Sequence, residues 1–294
     1  MSNTHANAAP DLNSVRDWYR VHGRDFLWRR PGMTPWGIYL IEIMAQQTQI
    51  ERAARVALEW IERWPTPSAL AATPPSEVLR AWGRLGYPRR ALALHAAATA
   101  IATEHGDEVP RELDVLLSLP GVGPYTAAAV ASFAYGQRVP VVDTNIRRVL
   151  VRALLGVETL PPSTRRDAAL MESVLPHDAE EAKIMNVAVM ELGALVCTPR
   201  SPDCERCPIA EHCAWRAAGY PPASAPGRPK QPRFAGSDRE ARGIVMAELR
   251  SADRPVGRDE LTTLIPDPDR LTRALAGLTA DGLAVRSARG YTLP

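Results

Sequence analysis

The sequence predicts an all-α protein for most of its length, and two observations carry this prediction. Apolar residues recur with helical spacing in one segment after another through residue 215. Proline and glycine residues stand between these segments, where helix ends are expected. The apolar piece 139–142 is short and extended before a further helix, and the other strand candidates occur only near the C-terminus.

Two irregular stretches separate the first helices. Residues 24–36 form a loop of basic and aromatic residues, and the long helical pattern from Trp36 to Trp64 is interrupted at 46–49. The helices predicted in this part of the chain are 11–22, 36–64 with its interruption, 68–72, 76–82, 88–105, 112–118, a small-residue helix from Tyr125, 144–155, 163–175 and 178–195.

The C-terminal part is set off by a linker. Residues 217–237 are rich in Pro, Gly, Ser and basic residues, a composition typical of linkers. Beyond it, helices are predicted at 238–250, 257–265 and 267–281, and a hairpin is predicted from 283–288 and 291–293. Three helices and a hairpin predict a small winged-helix-like module over 238–294.

Charge and composition limit the possible functions. The 35 Lys and Arg residues nearly balance the 33 Asp and Glu residues, so any surface that attracts nucleic acid must be local. A hydrophobic share of 46% is enough to build a core. We recognise no secretory signal in residues 1–15 and no transmembrane segment, and therefore expect a cytoplasmic protein without a membrane partner.

The cysteines give the most specific spacing in the chain. All four lie in the segment 197–213, and such clustering without an export signal favours a metal site over disulfides. Four thiolates hold either a zinc ion or an iron–sulfur cube. Only one pair is closely spaced, which favours the cube and leaves zinc open. The expected ligands are Cys197, Cys204, Cys207 and Cys213.

A glycine turn precedes the helix that begins near Tyr125. Gly121 and Gly123 allow another group to approach the backbone, and the free N–H groups of a helix N-terminus suit a phosphate. Asp143 then stands where the next helix begins. On this stretch alone, an ordinary turn followed by an N-cap aspartate is the simpler interpretation.

Glu42 lies inside an apolar helical run. An ionised carboxylate is costly to bury, so Glu42 either occupies a narrow exposed face, which is the commoner arrangement, or is a desolvated acid that keeps its proton. Beside Asp143, such an acid would complete a pair of carboxyl groups in different environments, which suits cleavage of a glycosidic bond.

Two further places carry groups that suit a DNA groove. Gln46, Gln47 and Thr48 begin the polar run that interrupts the helix, and they are either an ordinary polar loop or amides that fill the space left by an extruded base. Tyr87 follows a glycine among basic residues. It is either a second wedge of this kind or a core tyrosine.

Together these motifs resemble the helix-hairpin-helix base-excision glycosylases, and within them the MutY-type adenine DNA glycosylases. The resemblance covers about residues 11–215. It rests on the cysteine spacing and on the strings IEIMAQQTQ (41–49), LPGVGPYTA (119–127), VVDTNIRRV (141–149) and ELGALVCTPRSPDC (191–204).

The resemblance implies a two-lobed fold. Residues 11–33 and 141–215 would form a lobe with a [4Fe-4S] cluster, and residues 34–140 a six-helix barrel. The expected partner is double-stranded DNA with a mispaired base, bent between the lobes with the target base flipped out. A monomer associated with the bacterial nucleoid is expected.

The resemblance also implies roles for individual residues. Glu42 matches the general acid that protonates adenine at N7, Asp143 the carboxylate that stabilises the oxocarbenium sugar, and Asn145 a residue that orders the site. Tyr125 stands where bifunctional relatives carry a Schiff-base lysine, so base excision without strand cleavage is expected. The residues expected to contact DNA are Arg24, Arg29, Gln46, Gln47, Thr48, Tyr87, Gly121 and Gly123.

Three departures from the family pattern are visible. Phe26-Leu27-Trp28 replaces the usual Leu-Pro-Trp, and Ala45 replaces a bulkier aliphatic residue. Residues 238–294 are too short for the Nudix-like domain that reads 8-oxoguanine, which leaves recognition of the oxidised base open. A shortened tail of this kind resembles some adenine glycosylases of high-GC bacteria.

Three functions remain open from the sequence. The first is hydrolysis of the N-glycosidic bond of adenine mispaired with 8-oxoguanine or guanine. The second is a thymine or uracil mismatch glycosylase of the same fold, and the third is a non-catalytic iron–sulfur DNA-binding module. Glu42 and the polar run at 46–49 favour adenine, and intact Glu42 and Asp143 argue against the non-catalytic module.

Overall fold

The structure is a computed structural model that describes residues 12–223 and 233–294. Residue 11 and residues 224–232 of the predicted linker lie outside the described part. The predicted helices are present, and their ends differ from the sequence pattern by at most a few residues. They are α1 (Asn13–His22), α2 (Pro35–Ala45), α3 (Ile50–Arg63), α4 (Pro67–Ala71), α5 (Pro75–Trp82), α6 (Arg89–Glu104), α7 (Leu113–Ser118), α8 (Pro124–Tyr135), α9 (Thr144–Leu155), α10 (Thr164–Glu172), α11 (Ala179–Leu195) and the short α12 (Ala214–Ala217).

Side-chain caps fix several of these helix starts. The side chains of Thr66, Ser163 and Asp178 accept backbone N–H groups in the first turns of α4, α10 and α11. Pro67 and Pro75 occupy the first positions of α4 and α5, where the missing N–H costs nothing. Local polar chemistry therefore sets boundaries that hydrophobic spacing leaves uncertain.

The described residues divide into two compact units. One comprises 12–38, 111–117 and 122–223, and the other comprises 39–110, 118–121 and 233–294. The lobe boundaries expected from the sequence stay a prediction.

The core of the first unit lies where α9 packs on α11 and α1 covers α11. Val15 of α1, Ile146 and Leu150 of α9, and Met185 and Leu192 of α11 are all buried in one cluster. The two larger helices pack against each other directly. This packing places the start of α9 beside the end of α11.

The second unit has an aromatic core and carries the C-terminal residues. Trp60 lies edge-on to Trp64 and to Trp82, with ring centroids 4.7 and 5.7 Å apart. The C-terminal elements are α13 (Asp238–Ser251), α14 (Arg258–Leu264), α15 (Pro268–Ala280), β1 (Val285–Ser287) and β2 (Gly290–Thr292). The two strands pair antiparallel, and Val256 adds a bridge to Tyr291. The predicted three helices and hairpin are confirmed.

Among the residues described, no helix is both long and apolar enough to cross a membrane.

Gly193 allows the close approach of α11 to α9. A Cβ at Gly193 would lie 2.8 Å from the Cβ and the carbonyl oxygen of Asn145. We therefore expect Gly193→Ala to lower the free energy of unfolding by about 1–3 kcal/mol through overpacking, as measured by urea denaturation.

Gly243 of α13 is the matched control, because a Cβ there meets no described atom within 4 Å. Gly243→Ala should leave the free energy of unfolding unchanged or raise it by up to about 1 kcal/mol. Equal effects of the two substitutions would contradict the packing account.

Candidate functional site

Asp143 is fixed at the N-terminus of α9 through both carboxylate oxygens. Its Oδ1 accepts the backbone N–H of Ile146 at 2.6 Å, and its Oδ2 accepts Nδ2 of Asn145 at 2.8 Å. Asp143 is thus an N-cap, and the Asn145 side chain holds the outer oxygen in one orientation.

Burial sets the electrostatics of this carboxyl group. Loss of water raises the pKa of Asp143, while the bonds from Ile146 and Asn145 and the charge of Arg148 oppose the rise. A carboxylate with little water around it interacts strongly with any positive charge that develops nearby. The site can therefore stabilise a cation.

The chain that leads to Asp143 is held by Asn186, a fully buried residue of α11. Its Oδ1 accepts the backbone N–H of Val141 at 3.0 Å, and its Nδ2 donates to the carbonyl oxygen of Val139 at 3.0 Å. The extended piece before Asp143 thus pairs with a side chain instead of a strand. Asn186 was not among the predicted site residues, although an amide within an apolar helix was a readable signal.

Arg148 connects Asp143 to the cysteine segment and was also not predicted. Its Nη2 donates to Oδ1 of Asn145 at 2.8 Å and to the carbonyl oxygen of Gly193 at 2.6 Å. Its Nε donates to the carbonyl oxygen of Cys197 at 2.6 Å. A continuous set of bonds therefore runs from Asp143 through Asn145 and Arg148 to the first cysteine. The sequence did contain a signal for Arg148, because it lies one helical turn after Asn145 and side chains so spaced are neighbours on a helix.

The four predicted cysteines line one cavity. Burial raises the pKa of the Cys197 thiol and raises that of Cys207 to about 11, so binding of iron would have to displace protons. In the described ranges, no three His, Cys, Asp or Glu side chains converge as a single-ion site requires. Four thiols that line one cavity provide the ligand set of a [4Fe-4S] cube.

The buried side chain of Arg152 forms hydrogen bonds to the cysteine segment. Its buried guanidinium donates from Nη1 to Sγ of Cys197 at 3.4 Å and to the carbonyl oxygen of Thr198 at 2.8 Å. It also lies over the ring of Trp215, 4.4 Å from the centroid. A buried positive charge beside the ligands offsets the negative charge of thiolates.

Glu42 is buried in the middle of α2, with only 9% of its surface exposed. Its neighbours Ile41 and Ile43 are buried as well. The exposed-face interpretation is therefore wrong, and Glu42 is a desolvated carboxyl group. Its convergence with Asp143 on one substrate stays a prediction.

The two predicted wedge residues share an unusual backbone. Gln47 has a φ of 55° and Tyr87 a φ of 47°, a left-handed conformation that non-glycine residues rarely adopt. The Tyr87 side chain is 54% exposed, so the core-tyrosine interpretation is wrong. Strained backbone under exposed side chains is typical of sites held ready for a ligand.

Arg90 forms hydrogen bonds to both loops that carry the predicted wedge residues, Gln47 and Tyr87. Its guanidinium donates to the carbonyl oxygen of Gln46, to Oγ1 of Thr48 at 3.0 Å and to the carbonyl oxygen of Gly86 at 3.2 Å. These bonds offset part of the cost of the left-handed residues. The hydroxyl of Thr48 already has this partner, and its contact with DNA stays a prediction.

Arg24 and Arg29 converge on Glu191, which is fully buried. Nε of Arg24 lies 2.8 Å from Oε2, and Nη2 of Arg29 lies 3.0 Å from Oε1. Burial alone would raise the pKa of Glu191, but the two guanidinium groups hold it below its usual value. Both arginines also lie over the ring of Phe26. They position the basic-aromatic loop, and their direct contact with DNA stays a prediction.

The two glycines of the turn differ in backbone conformation and in the space around them. Gly121 has a φ of 79°, and a Cβ there would lie 2.8 Å from Cβ of Ala93, so the fold itself requires this glycine. Gly123 has a φ of −105°, and no described atom lies within 4 Å of an added Cβ. The space beside Gly123 is therefore open to an approaching group. Tyr125 follows in α8 and packs, half-buried, on a small cluster that includes Val141.

Known families match two parts of the chain. Residues 40–176 match the HhH-GPD superfamily of base excision DNA repair proteins, and residues 197–213 match the iron–sulfur binding domain of endonuclease III. The second match contains all four cysteines.

Individual proteins are similar over longer stretches. The chain is 50% identical to the adenine DNA glycosylase of Mycobacterium tuberculosis, over 94% of this chain and 91% of that protein. It is 50% identical to the adenine DNA glycosylase of Mycolicibacterium smegmatis, over 93% and 92%. Among solved structures, a thermostable thymine-DNA glycosylase superposes with a TM-score of 0.65 at 28% identity, over 70% of this chain and 95% of that one.

The Arg148 bonds generate a prediction about the cysteine segment. Arg148→Gln removes the donors to Gly193 and Cys197, so we expect the cluster to lose iron faster to a chelator, by at least severalfold, as followed by its visible absorbance. Arg165→Gln is the control, because Arg165 is exposed on α10. Identical rates in the two variants would show that Arg148 does not support the segment.

Proposed function

The chain belongs to the adenine DNA glycosylase family of the HhH-GPD superfamily, and on this premise we propose that it removes adenine mispaired with 8-oxoguanine or guanine in double-stranded DNA. The reaction is hydrolysis of the N-glycosidic bond in base excision repair. The observation that carries the proposal is Asp143, a desolvated carboxylate held by Ile146 and Asn145.

The two carboxyl groups would play different parts in this reaction. Glu42, buried in an apolar helix, is suited to hold a proton and to deliver it to N7 of adenine. Departure of the base leaves positive charge on the sugar, and the fixed carboxylate of Asp143 is suited to stabilise that charge. A water molecule then adds to the sugar carbon. Both roles are proposals drawn from the position of these residues in the family motifs.

The [4Fe-4S] cluster belongs to the cysteine segment, where the family's iron–sulfur domain matches. Cys197, Cys204, Cys207 and Cys213 are its ligands. When bound, the cluster supplies a covalent cross-link between four points of a segment that contains only short helical turns. Arg152 and Arg148 hold the carbonyl groups of this segment in place.

We expect no strand cleavage from this chain. Tyr125 occupies the position where a Schiff-base lysine would stand, and a phenol cannot form an imine. Attack on the sugar is therefore left to water. We also propose that the protein acts as a monomer on nucleoid DNA in the cytoplasm, because its substrate would lie there.

A thymine mismatch glycosylase is the second candidate function. The similarity in fold to a thymine-DNA glycosylase favours it. The higher identity to adenine glycosylases, over nearly the whole chain, favours adenine. The match to the mycobacterial proteins also includes most of the C-terminal residues, since it covers 94% of the chain.

A panel of duplexes tests the function. With A, T or U placed opposite G or 8-oxoguanine, alkali should reveal abasic sites only at A, and borohydride should trap no covalent DNA adduct. Asp143→Asn should lower base release by at least about a hundredfold, since removing one electrostatic stabiliser costs that much, while duplex binding stays nearly unchanged. Release at T or U alone would overturn the assignment, and normal turnover of the variant would overturn the role of Asp143.

The pH profile gives an independent check. Burial raises the pKa of Asp143, so the ionised form is lost on acidification at a higher pH than for an ordinary aspartate. We expect the acid limb of kcat/KM, which reports the free enzyme, to lie above the usual aspartate value of 3.8. Arg148→Gln removes a charge that opposes the rise, and should move this limb to still higher pH. Arg165→Gln should leave it in place.

A further inference from the structure

The C-terminal module contacts both helices that flank the Tyr87 loop, and all these residues lie in one compact unit. On one side, Arg80 of α5 donates from Nε to the carbonyl oxygen of Arg250 at 3.1 Å and from Nη2 to that of Ala252 at 2.8 Å. In the helix after the loop, Nη1 of Arg89 in α6 lies 3.4 Å from Oδ1 of Asp281. The end of α13 is therefore placed beside the loop that presents Tyr87.

Positive charge accumulates where α13 meets this loop. Arg84 is exposed in the loop, and burial together with the charge of Arg84 lowers the pKa of Arg250. Arg52 adds a third guanidinium, which donates to the carbonyl oxygen of Arg84. Within the described residues, neither Arg84 nor Arg250 forms an ion pair with a carboxylate. We call Arg84 and Arg250 the seam arginines.

Four other arginines of the module are paired with carboxylates. The pairs are Arg242 with Asp281, Arg254 with Glu260, Arg270 with Glu240, and Arg273 with Asp238. Helix α15 would be the groove-reading helix of a winged-helix protein, yet its arginines are paired and Asp267 and Asp269 stand at its start. The arginines of α15 are thus less suited to bind an anion than the two seam arginines.

A phosphate of a DNA strand would supply the negative charge that the seam arginines lack. Two guanidinium groups without a carboxylate repel each other, and a phosphate between them removes that cost. Arginine is also the side chain whose planar fork best matches phosphate oxygens. If the Tyr87 side chain inserts between two neighbouring bases of a strand, backbone phosphates lie on either side of the insertion.

We propose that the C-terminal module extends the DNA-binding surface, with Arg84 and Arg250 together gripping a backbone phosphate next to the place where Tyr87 enters the duplex. This inference rests on the proposed function, because it takes Tyr87 as an intercalating side chain. The module then contributes affinity for the duplex through backbone charge, without reading a base.

Salt dependence of binding tests the seam. Arg84→Gln, Arg250→Gln and the double variant are made in the full chain, and their affinity for an undamaged duplex is measured over a series of salt concentrations. Loss of this one phosphate contact in the double variant should reduce the slope of log affinity against log salt concentration by about 1 and weaken binding roughly tenfold or more at low salt. Each single substitution should give a smaller reduction of the slope. Arg273→Gln, which removes a paired arginine of α15, should change neither quantity.

Two further measurements separate charge from folding. Replacing both seam arginines by lysine keeps the charge and should preserve most of the slope. In the unchanged chain, bound duplex should protect Arg84 and Arg250, but not Arg273, from phenylglyoxal, as read by mass spectrometry. An unaltered slope in the double glutamine variant, or equal modification with and without duplex, would overturn the proposal.

Failure of the seam and failure of the proposed function give different results. If the unchanged chain releases no adenine from any duplex, the proposed function fails. If it releases adenine while the slope and the protection do not respond to the seam arginines, only the inference about the module fails.

Discussion

The close packing of α9 on α11 is the constraint on which the site depends. It lets Arg148 reach across from one helix to the carbonyl oxygens of Gly193 and Cys197 while still holding Asn145. The orientation of the Asp143 carboxylate is thereby tied to the segment that carries the cluster ligands. Hydrogen bonds to a charged donor in a place with little water are the stronger kind, so this set of bonds also makes the region rigid.

Two glutamates are buried in the described part of the chain, and they have different roles. Glu42 and Glu191 both lie within apolar helical runs, and the sequence presents them alike. The structure pairs Glu191 with Arg24 and Arg29, residues more than 160 positions away, and makes it part of the framework. A sequence pattern records that an acid is buried. Its partner depends on the tertiary fold, which the pattern does not contain.

The same distinction explains how much could be predicted. Helix positions followed from hydrophobic spacing and caps, and the N-cap position of Asp143 followed from the start of α9, because these are local properties. The roles of Arg148, Arg90 and Asn186 were missed because most of their partners lie more than 40 positions away, although Arg148 and Asn186 each left a local signal. The left-handed backbone at Gln47 and Tyr87 was also unpredictable, since no glycine marks either position.

Helix α11 serves several structures at once. Asn186 holds the extended piece at 139–141, Glu191 gathers the two arginines of the basic-aromatic loop, Gly193 admits Asn145, and the helix ends two residues before Cys197. One added or deleted residue turns everything beyond it by about 100° around the axis. A frame-preserving insertion or deletion inside this helix would therefore misalign several contacts together. The length of α11 is thus constrained by all of these contacts at once.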